Sequence, residues 1–307
     1  MKPDGGRCLD VLGTSVHVVV AGGPASGGVT PIVLCGGLGA TWHDWIDVTD
    51  ALVDAGHTVV VIERPGFGGS EPLPSDRVPT VSDEARRILG VLDALSLPGP
   101  AVLVGHSIAG FYVEGFARLF PDRTAGLVLL DSSVEASPGA VVPARFRVPI
   151  ARAFARIASA TGVQALVAGP VRHMVMQAIP PDGYTPARTD ALGRIYRRPS
   201  YLAAATVEYA VYADLAVELH RLRISTSLPS VPTVVAAAHT GRPTPWGARW
   251  LRKQRRLARY LHGRFDVVSP SHHHAMIDQP AQVFRLVDSV ADSSSSAPAA
   301  AESTLEE

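Results

Sequence analysis

The chain has 307 residues, of which 47% are hydrophobic, and its 28 basic and 28 acidic residues cancel to a formal net charge of zero. This length and apolar content suit one large domain, or a domain with an insertion, with ample core. The balanced charge gives no indication of nucleic acid or of a charged membrane surface as a partner.

The sequence contains two cysteines, Cys8 and Cys35. They are too few for a disulfide framework and fit a reducing compartment. Cys35 ends a predicted buried strand, which favours a role as a small hydrophobic residue over one as a nucleophile. The N-terminus has no apolar stretch behind a basic start, and no run of about 18 apolar residues occurs, so we expect neither a signal peptide nor a membrane span. These features predict a cytoplasmic protein.

Short apolar runs along the chain predict eight strands. The first two are joined through Gly13 and Thr14, which indicates a hairpin. Continuously apolar runs are typical of strands buried on both faces, so the pattern predicts an α/β fold with a mostly parallel central sheet. The strands are expected at residues 7–12, 15–20, 31–35, 58–62, 102–104, 126–130, 231–238 and 264–268.

Helical patterns alternate with these strands, so helices are expected to flank the sheet on both faces. One of them begins near residues 79–83, with Thr80 as its N-cap and Asp83 three residues later. The others are expected at residues 42–55, 111–120, 245–261 and 281–290. The basic run within residues 249–259 is interpreted as a solvated helix face.

Strand-like runs are missing between the sixth and seventh strands. Amphipathic patterns at residues 147–168, 170–178 and 201–222 predict helices there instead. We therefore predict a core made of residues 1–136 and 229–290, with a helical cap at residues 137–228 inserted after the sixth strand. Residues 291–307 are rich in serine and alanine and are predicted to form a disordered tail.

The stretch 105–110 reads GHSIAG and follows a predicted apolar strand. A nucleophilic serine on a sharp strand-to-helix turn has strained backbone angles, and its neighbours two positions away must be small to avoid collisions. Gly105 and Ala109 meet that need around Ser107. The pattern alone also fits a strand that ends in a glycine turn, but the helix predicted at 111–120 supplies the context of a nucleophile. The amide of Ile108 then opens a helix and points to where an oxyanion would form.

Four stretches together resemble the α/β-hydrolase fold superfamily over about residues 7–290. They are GGLG at 36–39, ERPGFGGS at 63–70, GHSIAG at 105–110 and HHAMIDQP at 273–280. The family usually has His-Gly where this chain has Gly36 and Gly37, and Asp where it has Glu63. The resemblance implies a capped serine hydrolase of the esterase-like branch with a catalytic triad, no metal and no organic cofactor. A serine nucleophile argues against the dehalogenase and epoxide hydrolase branches, which use Asp at that position.

The resemblance places the general base among three adjacent histidines after the last strand. The family pattern, counted back five positions from Asp278, assigns the role to His273. His272 then takes a position usually held by glycine, and His274 takes a variable one. His239, after the preceding strand, is the alternative position for a functional histidine. For any of these histidines, a surface loop role remains the alternative.

The assignment of the acid of the triad is less direct than that of the base. Most family members carry an Asp just after the strand at residues 233–238, but the loop at 239–243 reads HTGRP and has no carboxylate. The base still needs an acceptor for its second ring N–H. Asp131 directly follows the strand at 126–130, where some branches place their acid, and we predict it as the acid. A turn or cap role is the alternative, and Glu135 is the fallback.

The resemblance assigns the oxyanion amides to Leu38 and Ile108. Glycines at 36, 37 and 39 let the backbone approach a ligand closely, although a flexible turn is the alternative. They fit neither a phosphate loop, because no Lys-Ser/Thr pair follows, nor a dinucleotide fingerprint. Trp42, His43 and His106 are candidate residues of the substrate pocket, with helix packing as the alternative for the first two.

The sequence therefore predicts a serine hydrolase that cleaves a small-molecule carboxylic ester, or a related acyl substrate, through an acyl-enzyme on Ser107. Fold does not fix chemistry, so the same triad in carbon–carbon bond hydrolysis, acyl transfer or cofactor-free peroxidation stays open. A non-catalytic ligand-binding member of the family is a further alternative. The specificity is expected to lie in the cap, and the sequence does not indicate an oligomeric state.

Overall fold

A computed structural model of the protein describes residues 6–23, 30–135, 139, 142–166 and 177–295. Within these residues, eight strands form a single sheet. All eight were predicted from the sequence. They are β1 (Arg7–Val11), β2 (Thr14–Ala21), β3 (Ile32–Cys35), β4 (Val59–Ile62), β5 (Ala101–His106), β6 (Thr124–Leu130), β7 (Thr233–Ala238) and β8 (Arg264–Val268).

The strand order across the sheet is β1-β2-β4-β3-β5-β6-β7-β8. The hairpin of β1 and β2 is antiparallel, and β2 also pairs antiparallel with β4. Every later pair is parallel. The carboxyl ends of β3 to β8 therefore meet at one edge, where ligands of such sheets usually bind.

Helices cover the sheet on both faces, as the sequence predicted. Successive side chains of a strand point to opposite faces. On β3, Val33 and Cys35 join one apolar cluster, whereas Ile32 and Leu34 join the other. The helices are α1 (Ile46–Asp54), α2 (Val81–Ala94), α3 (Ala109–Leu119), α4 (Ala144–Ala160), α5 (Pro186–Tyr196), α6 (Pro199–Ser225), α7 (Pro245–Tyr260), α8 (Ala275–Asp278) and α9 (Pro280–Ser295).

Between β6 and β7, the elements that the structure describes are helices joined by turns and loops. Helix α4 packs against α6, and α6 in turn packs against α3 of the core. Helix α5 was not predicted, although Thr185 caps it by accepting a hydrogen bond from the Arg188 amide. Most of the helix predicted at 170–178 lies outside the described residues.

The closing helix α9 continues to Ser295, five residues beyond the predicted end at 290. The rest of the predicted tail, residues 296–307, lies outside the described residues. In the part of the chain that is described, no helix combines the length and apolar character needed to cross a bilayer.

Candidate active site

Ser107 lies on the sharp turn between β5 and α3. Its φ of 55° falls in the left-handed region that is unfavourable for most residues. Backbone hydrogen bonds hold it there: the Ser107 amide donates to the Leu130 carbonyl at 3.1 Å, and the Ser107 carbonyl accepts from the Ser133 amide at 3.0 Å. A Cβ at Gly105 would lie 2.7 Å from the Ala109 carbonyl oxygen, so the turn requires glycine at that position.

Three side chains form a hydrogen-bonded chain at the carboxyl edge of the sheet. Ser107 Oγ lies 2.9 Å from His273 Nε2, and His273 Nδ1 lies 2.6 Å from Asp131 Oδ2. The side chain of His273 is 44% exposed, whereas that of Asp131 is 5% exposed. The structure therefore brings together the three residues predicted as nucleophile, base and acid, and it buries the carboxylate end.

Asp131 has further partners for its carboxylate. Oδ1 accepts hydrogen bonds from the Ala238 amide at 2.9 Å and from Trp250 Nε1 at 2.6 Å. These two donors occupy the oxygen that His273 does not contact, so the buried carboxylate is fully hydrogen-bonded. Trp250, on α7, was missed in the sequence because it lies within a run interpreted as a solvated face.

The other two adjacent histidines have different surroundings from His273. Asp278 Oδ2 accepts a hydrogen bond from the His272 amide at 2.7 Å and lies 3.3 Å from His272 Nδ1, which anchors the loop. The His274 side chain is buried, with its ring centroid 5.1 Å from that of His106. In this geometry only the middle histidine of the three reaches Ser107.

His106 is fully buried beside the candidate base. Its Nε2 donates to the His273 carbonyl at 2.8 Å. Burial, and next the neighbouring His273 and His274, hold the pKa of His106 well below its ordinary value, so the ring is neutral. A ring without exposed surface does not line a pocket, which corrects the expectation from the sequence. His106 instead holds the backbone of His273, the candidate base, through this hydrogen bond.

The loop after β3 lies directly against the serine. A Cβ at Gly37 would lie 3.0 Å from Ser107 Cβ and 2.8 Å from His106 Nδ1, so glycine is needed for this approach. Leu38 follows in the loop, and Ile108 is the N-cap residue of α3. Among the hydrogen bonds of the described residues, the amides of Leu38 and Ile108 have no protein acceptor. Both amides are therefore available to a ligand oxygen.

The structure places Trp42 and His43 in the short 3₁₀ turn that precedes α1. Trp42 packs against the apolar cluster that includes α1, and its amide donates to Glu63 Oε1 at 2.9 Å. The His43 ring lies 4.3 Å from that of Trp42. Burial lowers the pKa of His43 despite the opposing charges of Glu63 and Asp44. For Trp42, this is the helix-packing alternative that the sequence left open.

The remaining candidates from the sequence make other contacts. Glu135 Oε1 accepts from the Tyr212 hydroxyl at 3.0 Å, and His239 Nδ1 accepts from the Gly241 amide at 3.0 Å. Burial raises the pKa of the Cys35 thiol to about 12, which agrees with a small hydrophobic role. Within the described ranges, no group of three or more His, Cys, Asp or Glu side chains is placed to hold a metal ion.

Comparison with known proteins agrees with this architecture. The family model described as alpha/beta hydrolase fold matches residues 30–280. The chain belongs to this family. The match spans β3 to the start of α9 and so includes the loop at Gly37, the Ser107 turn and the His273 loop. The α/β-hydrolase fold predicted from the four sequence stretches is thus confirmed.

Individual relatives match only part of the chain. Epoxide hydrolase B of Mycobacterium tuberculosis (strain ATCC 25618 / H37Rv) is 33% identical over 122 residues, which cover 40% of this chain and 34% of that protein. The 2-hydroxy-6-oxononadienedioate/2-hydroxy-6-oxononatrienedioate hydrolase of Burkholderia vietnamiensis (strain G4 / LMG 22486) is 37% identical over 109 residues, covering 35% and 36%. The chain thus matches about a third of the length of these curated relatives.

A solved structure extends the likeness over nearly the whole α/β-hydrolase chain. The thermophilic esterase from Thermogutta terrifontis superposes with a TM-score of 0.65, covering 92% of this chain and 97% of that one. The two sequences are 22% identical, so this likeness concerns the fold alone.

Proposed function

We propose that the protein is a serine hydrolase that cleaves a carboxylic ester, or a related acyl compound, through an acyl-enzyme on Ser107. The observation that carries the proposal is the chain of hydrogen bonds from Ser107 Oγ to His273 (2.9 Å) and on to Asp131 (2.6 Å). A nucleophile, a base and an orienting acid in this order are what acyl transfer requires.

In the first half of the reaction, His273 Nε2 takes the Ser107 hydroxyl proton while Oγ attacks the substrate carbonyl carbon. The carbonyl oxygen becomes an oxyanion and accepts hydrogen bonds from the amides of Leu38 and Ile108. Asp131 accepts the Nδ1–H bond and stabilises the imidazolium. The carbon–oxygen bond of the ester then breaks, and the imidazolium gives its proton to the departing alkoxide, which leaves as an alcohol.

In the second half, water takes the place of the alcohol. His273 removes a proton from the water, and the hydroxide oxygen attacks the acyl carbon on Ser107. The second oxyanion collapses, the bond to Ser107 Oγ breaks, and the imidazolium returns its proton to Oγ. The product is a carboxylic acid, and no metal or organic cofactor takes part in these steps.

The proposal includes the division of the chain. Residues 1–136 and 229–290 form the catalytic core, and residues 137–228 form a cap under which the small-molecule substrate binds. The triad residues all belong to the core, and the described cap helices pack against it through α6. The two unpaired cysteines, Cys8 and Cys35, support a cytoplasmic location.

Carbon–carbon bond hydrolysis is the second candidate. The relative from Burkholderia vietnamiensis carries the name of a hydrolase of an oxononadienedioate, and its 37% identity over 109 residues favours this possibility. The same serine, base and acid would then act on a ketone-bearing substrate. The two candidates differ in the bond that breaks and share the arrangement at Ser107.

A substrate panel combined with a covalent probe separates these candidates. We expect p-nitrophenyl esters of increasing acyl length to be hydrolysed and a fluorophosphonate to label the protein. The Ser107→Ala variant serves as the control and should show neither. Labelling without ester turnover would favour carbon–carbon bond hydrolysis. A protein that is neither labelled nor active would contradict the proposed triad and favour a ligand-binding role.

A further inference from the structure

We propose that Arg64 and Glu208 are positioning residues for the oxyanion site, and that through them helix α6 sets the direction of the Leu38 amide. The inference rests on the proposed function, because it concerns how that site is held ready for the reaction. The residues of the proposed triad are not involved directly.

Arg64 lies in the loop after β4 and contacts the oxyanion loop from behind. Its Nη1 donates to the Gly36 carbonyl, and its Nη2 donates to the Gly37 carbonyl at 2.8 Å. The side chain is only 6% exposed and lies 5.3 Å from the ring centroids of both Phe67 and Tyr112. A buried guanidinium with two carbonyl contacts is held in one orientation.

The Gly37 carbonyl determines where the Leu38 amide points. Among the described residues, the Gly37–Leu38 bond is not one of the cis peptides, so it is trans. In a planar trans peptide the C=O and the following N–H point in opposite directions. Arg64 holds the carbonyl on its own side, which turns the Leu38 N–H to the other side. Since Gly37 packs directly against Ser107, we place the developing oxyanion on that other side.

Glu208 holds Arg64 in turn. Glu208 lies on α6, is 3% exposed, and receives Arg64 Nε on Oε1 and Nη2 on Oε2, both at 2.9 Å. The Tyr112 hydroxyl donates to Oε1 at 2.8 Å. Burial alone would lower the pKa of Arg64, but the facing carboxylate outweighs it and raises that pKa. Arg64 thus stays protonated, and its contact with Glu208 ties α6 to the loop beside Ser107.

A second ion pair between α6 and the core supplies a matched control. Arg223 on α6 donates from Nε at 2.7 Å to Glu114 Oε1, and the Glu114 carboxylate is 1% exposed. Glu114 lies on α3 and has no contact with the loop at Gly37 among the described hydrogen bonds. Removing the charge of Glu114 therefore disturbs a comparably buried pair while leaving the oxyanion loop intact.

The experiment compares Glu208→Gln, Arg64→Lys and Glu114→Gln with the wild type on an ester that the wild type hydrolyses. Loss of one oxyanion donor costs about 100-fold in kcat, so we expect Glu208→Gln and Arg64→Lys to lose up to about 100-fold with KM within about threefold. The affinity for a trifluoromethyl ketone, whose adduct with Ser107 carries the oxyanion, should fall in proportion to kcat/KM. Glu114→Gln should keep kcat and ketone affinity near wild-type values.

Two results would overturn the inference. One is an equal loss of kcat in Glu208→Gln and Glu114→Gln, which would mean that any buried pair on α6 matters alike. The other is an affinity for the ketone in Arg64→Lys that equals that of the wild type. Because Arg64→Lys retains a positive charge, this variant keeps the test decisive if Glu208→Gln does not fold. If a fluorophosphonate labels the wild type while kcat and ketone affinity are unchanged in Glu208→Gln and Arg64→Lys, only this inference is contradicted. An unlabelled wild type contradicts the proposed function as well.

A second inference comes from the outer face of α4. Four large apolar side chains are exposed there: Phe146 (54%), Ile150 (68%), Phe154 (59%) and Ile157 (64%). Spacings of four, four and three residues put them on one side of the helix. The opposite side buries Val148 in the core cluster. A continuous apolar face turned away from the core is unusual for a helix that stays in water.

The charge around this face identifies what would cover it. By helical spacing, Arg145, Arg152 and Arg156 lie together along one flank of the apolar stripe. Between Glu135 and Asp182 the sequence has five arginines and no acidic residue. The neutral total charge, which predicted no membrane partner, therefore conceals a basic cap. A second copy of the same face would bring arginines against arginines.

We infer that the face of α4 docks on a lipid surface with anionic headgroups. Aromatic and aliphatic side chains would enter the boundary between headgroups and acyl chains, while the arginines pair with phosphates. This mode of binding needs no membrane-spanning helix.

Co-sedimentation with vesicles tests this second inference. We expect binding to phosphatidylglycerol–phosphatidylcholine vesicles and little binding to pure phosphatidylcholine. The double variant Phe146→Ser/Phe154→Ser should bind these vesicles at least about tenfold more weakly than the wild type. The control Trp246→Ser changes a 73% exposed aromatic residue on α7 and should bind normally. Absence of binding to the anionic vesicles, or equal binding by the double variant and the control, would overturn the inference. So would a dimer that the double variant abolishes.

Discussion

Trp250 donates a 2.6 Å hydrogen bond from Nε1 to Asp131 Oδ1, the carboxylate oxygen that His273 does not contact. The Ala238 amide donates to the same oxygen. The carboxylate is therefore fixed with Oδ2 towards His273, and helix α7 helps to hold the proposed acid. The two donors also withdraw negative charge from the carboxylate that, in the proposed mechanism, stabilises the imidazolium.

Replacing Trp250 by Phe should change the pH dependence of catalysis. A carboxylate that has lost a donor holds a protonated imidazole more tightly, so the acid limb of kcat/KM should move to higher pH. We also expect kcat to fall about tenfold, because a hydrogen bond to a charged group contributes about 1.5–3 kcal/mol. The measurement is the pH profile of ester hydrolysis.

Trp246→Phe is the matched control for this variant. Trp246 lies on the same helix and stacks on Trp250, with centroids 6.0 Å apart and planes 7° apart, but is 73% exposed. It should keep the wild-type profile. If both variants shifted the acid limb equally, the effect would belong to aromatic packing and not to the hydrogen bond.

The assignment of the acid predicts different outcomes for two carboxylates. Asp131→Asn should lower kcat by about 10,000-fold, because the amide favours the wrong tautomer of His273. Glu135→Gln should stay near wild-type activity, since Glu135 bonds to Tyr212 and not to His273. Steady-state kinetics of both variants check this. Strong impairment of Glu135→Gln with an active Asp131→Asn would move the role to Glu135.

The three adjacent histidines should separate cleanly in alanine variants. His273→Ala should abolish activity, because His273 Nε2 is the one ring nitrogen that hydrogen-bonds to Ser107 Oγ among the described residues. His272→Ala removes an exposed side chain and should remain active. His274→Ala empties a buried position, so it should lower the melting temperature more than the chemistry. An active His273→Ala beside an inactive neighbour would show that the register is wrong.

Buried His106 should make the fold sensitive to acid. The pKa of His106 lies well below its ordinary value because of burial and the neighbouring His273 and His274. Below about pH 6.5 the unfolded chain takes up a proton that the folded state does not. As the pH is lowered below about 6.5, the free energy of unfolding should therefore decrease by up to about 1.4 kcal/mol per pH unit. Above about pH 6.5 the neutral His106 causes no such loss of stability.

His106→Gln offers the comparison, because Gln keeps a donor for the His273 carbonyl but does not titrate. Urea unfolding at pH 8, 6.5 and 5 should show a flatter dependence in this variant than in the wild type. Equal slopes in the two proteins would mean that His106 is not the group responsible.

Much of the fold was predictable from local patterns. Continuous apolar runs are a strong sign of strands in a covered parallel sheet, and all eight were found. Asp131 was predicted as the acid because the loop at 239–243 lacks a carboxylate and some branches of the family place their acid after the preceding strand. The structure places its carboxylate 2.6 Å from His273, and its role as the acid stays a prediction. Helix α5 was missed, although Thr185 and Pro186 carry the signal of a helix start.

What escaped the sequence depends on contacts between distant segments. Trp250 donates a hydrogen bond to Asp131, which lies 119 positions earlier in the sequence. The basic pattern of the helix gives no indication that one of its aromatic residues contacts a carboxylate. His106 occupies a variable position of its motif, and its burial comes from the approach of Gly37 and His274. The hydrogen bond that Arg64 donates to Glu208 likewise joins residues 144 positions apart in the sequence.

The most direct test of the central claim is covalent labelling at Ser107. Incubation with a fluorophosphonate should add one adduct to the intact protein, peptide mapping should find it on Ser107, and ester hydrolysis should disappear in parallel. Ser107→Ala should take no adduct and lose about a millionfold in kcat, with a melting temperature close to wild type because the turn accommodates a smaller side chain. A Ser107→Ala variant that keeps more than a few per cent of the activity, or an adduct on another residue, would contradict the account.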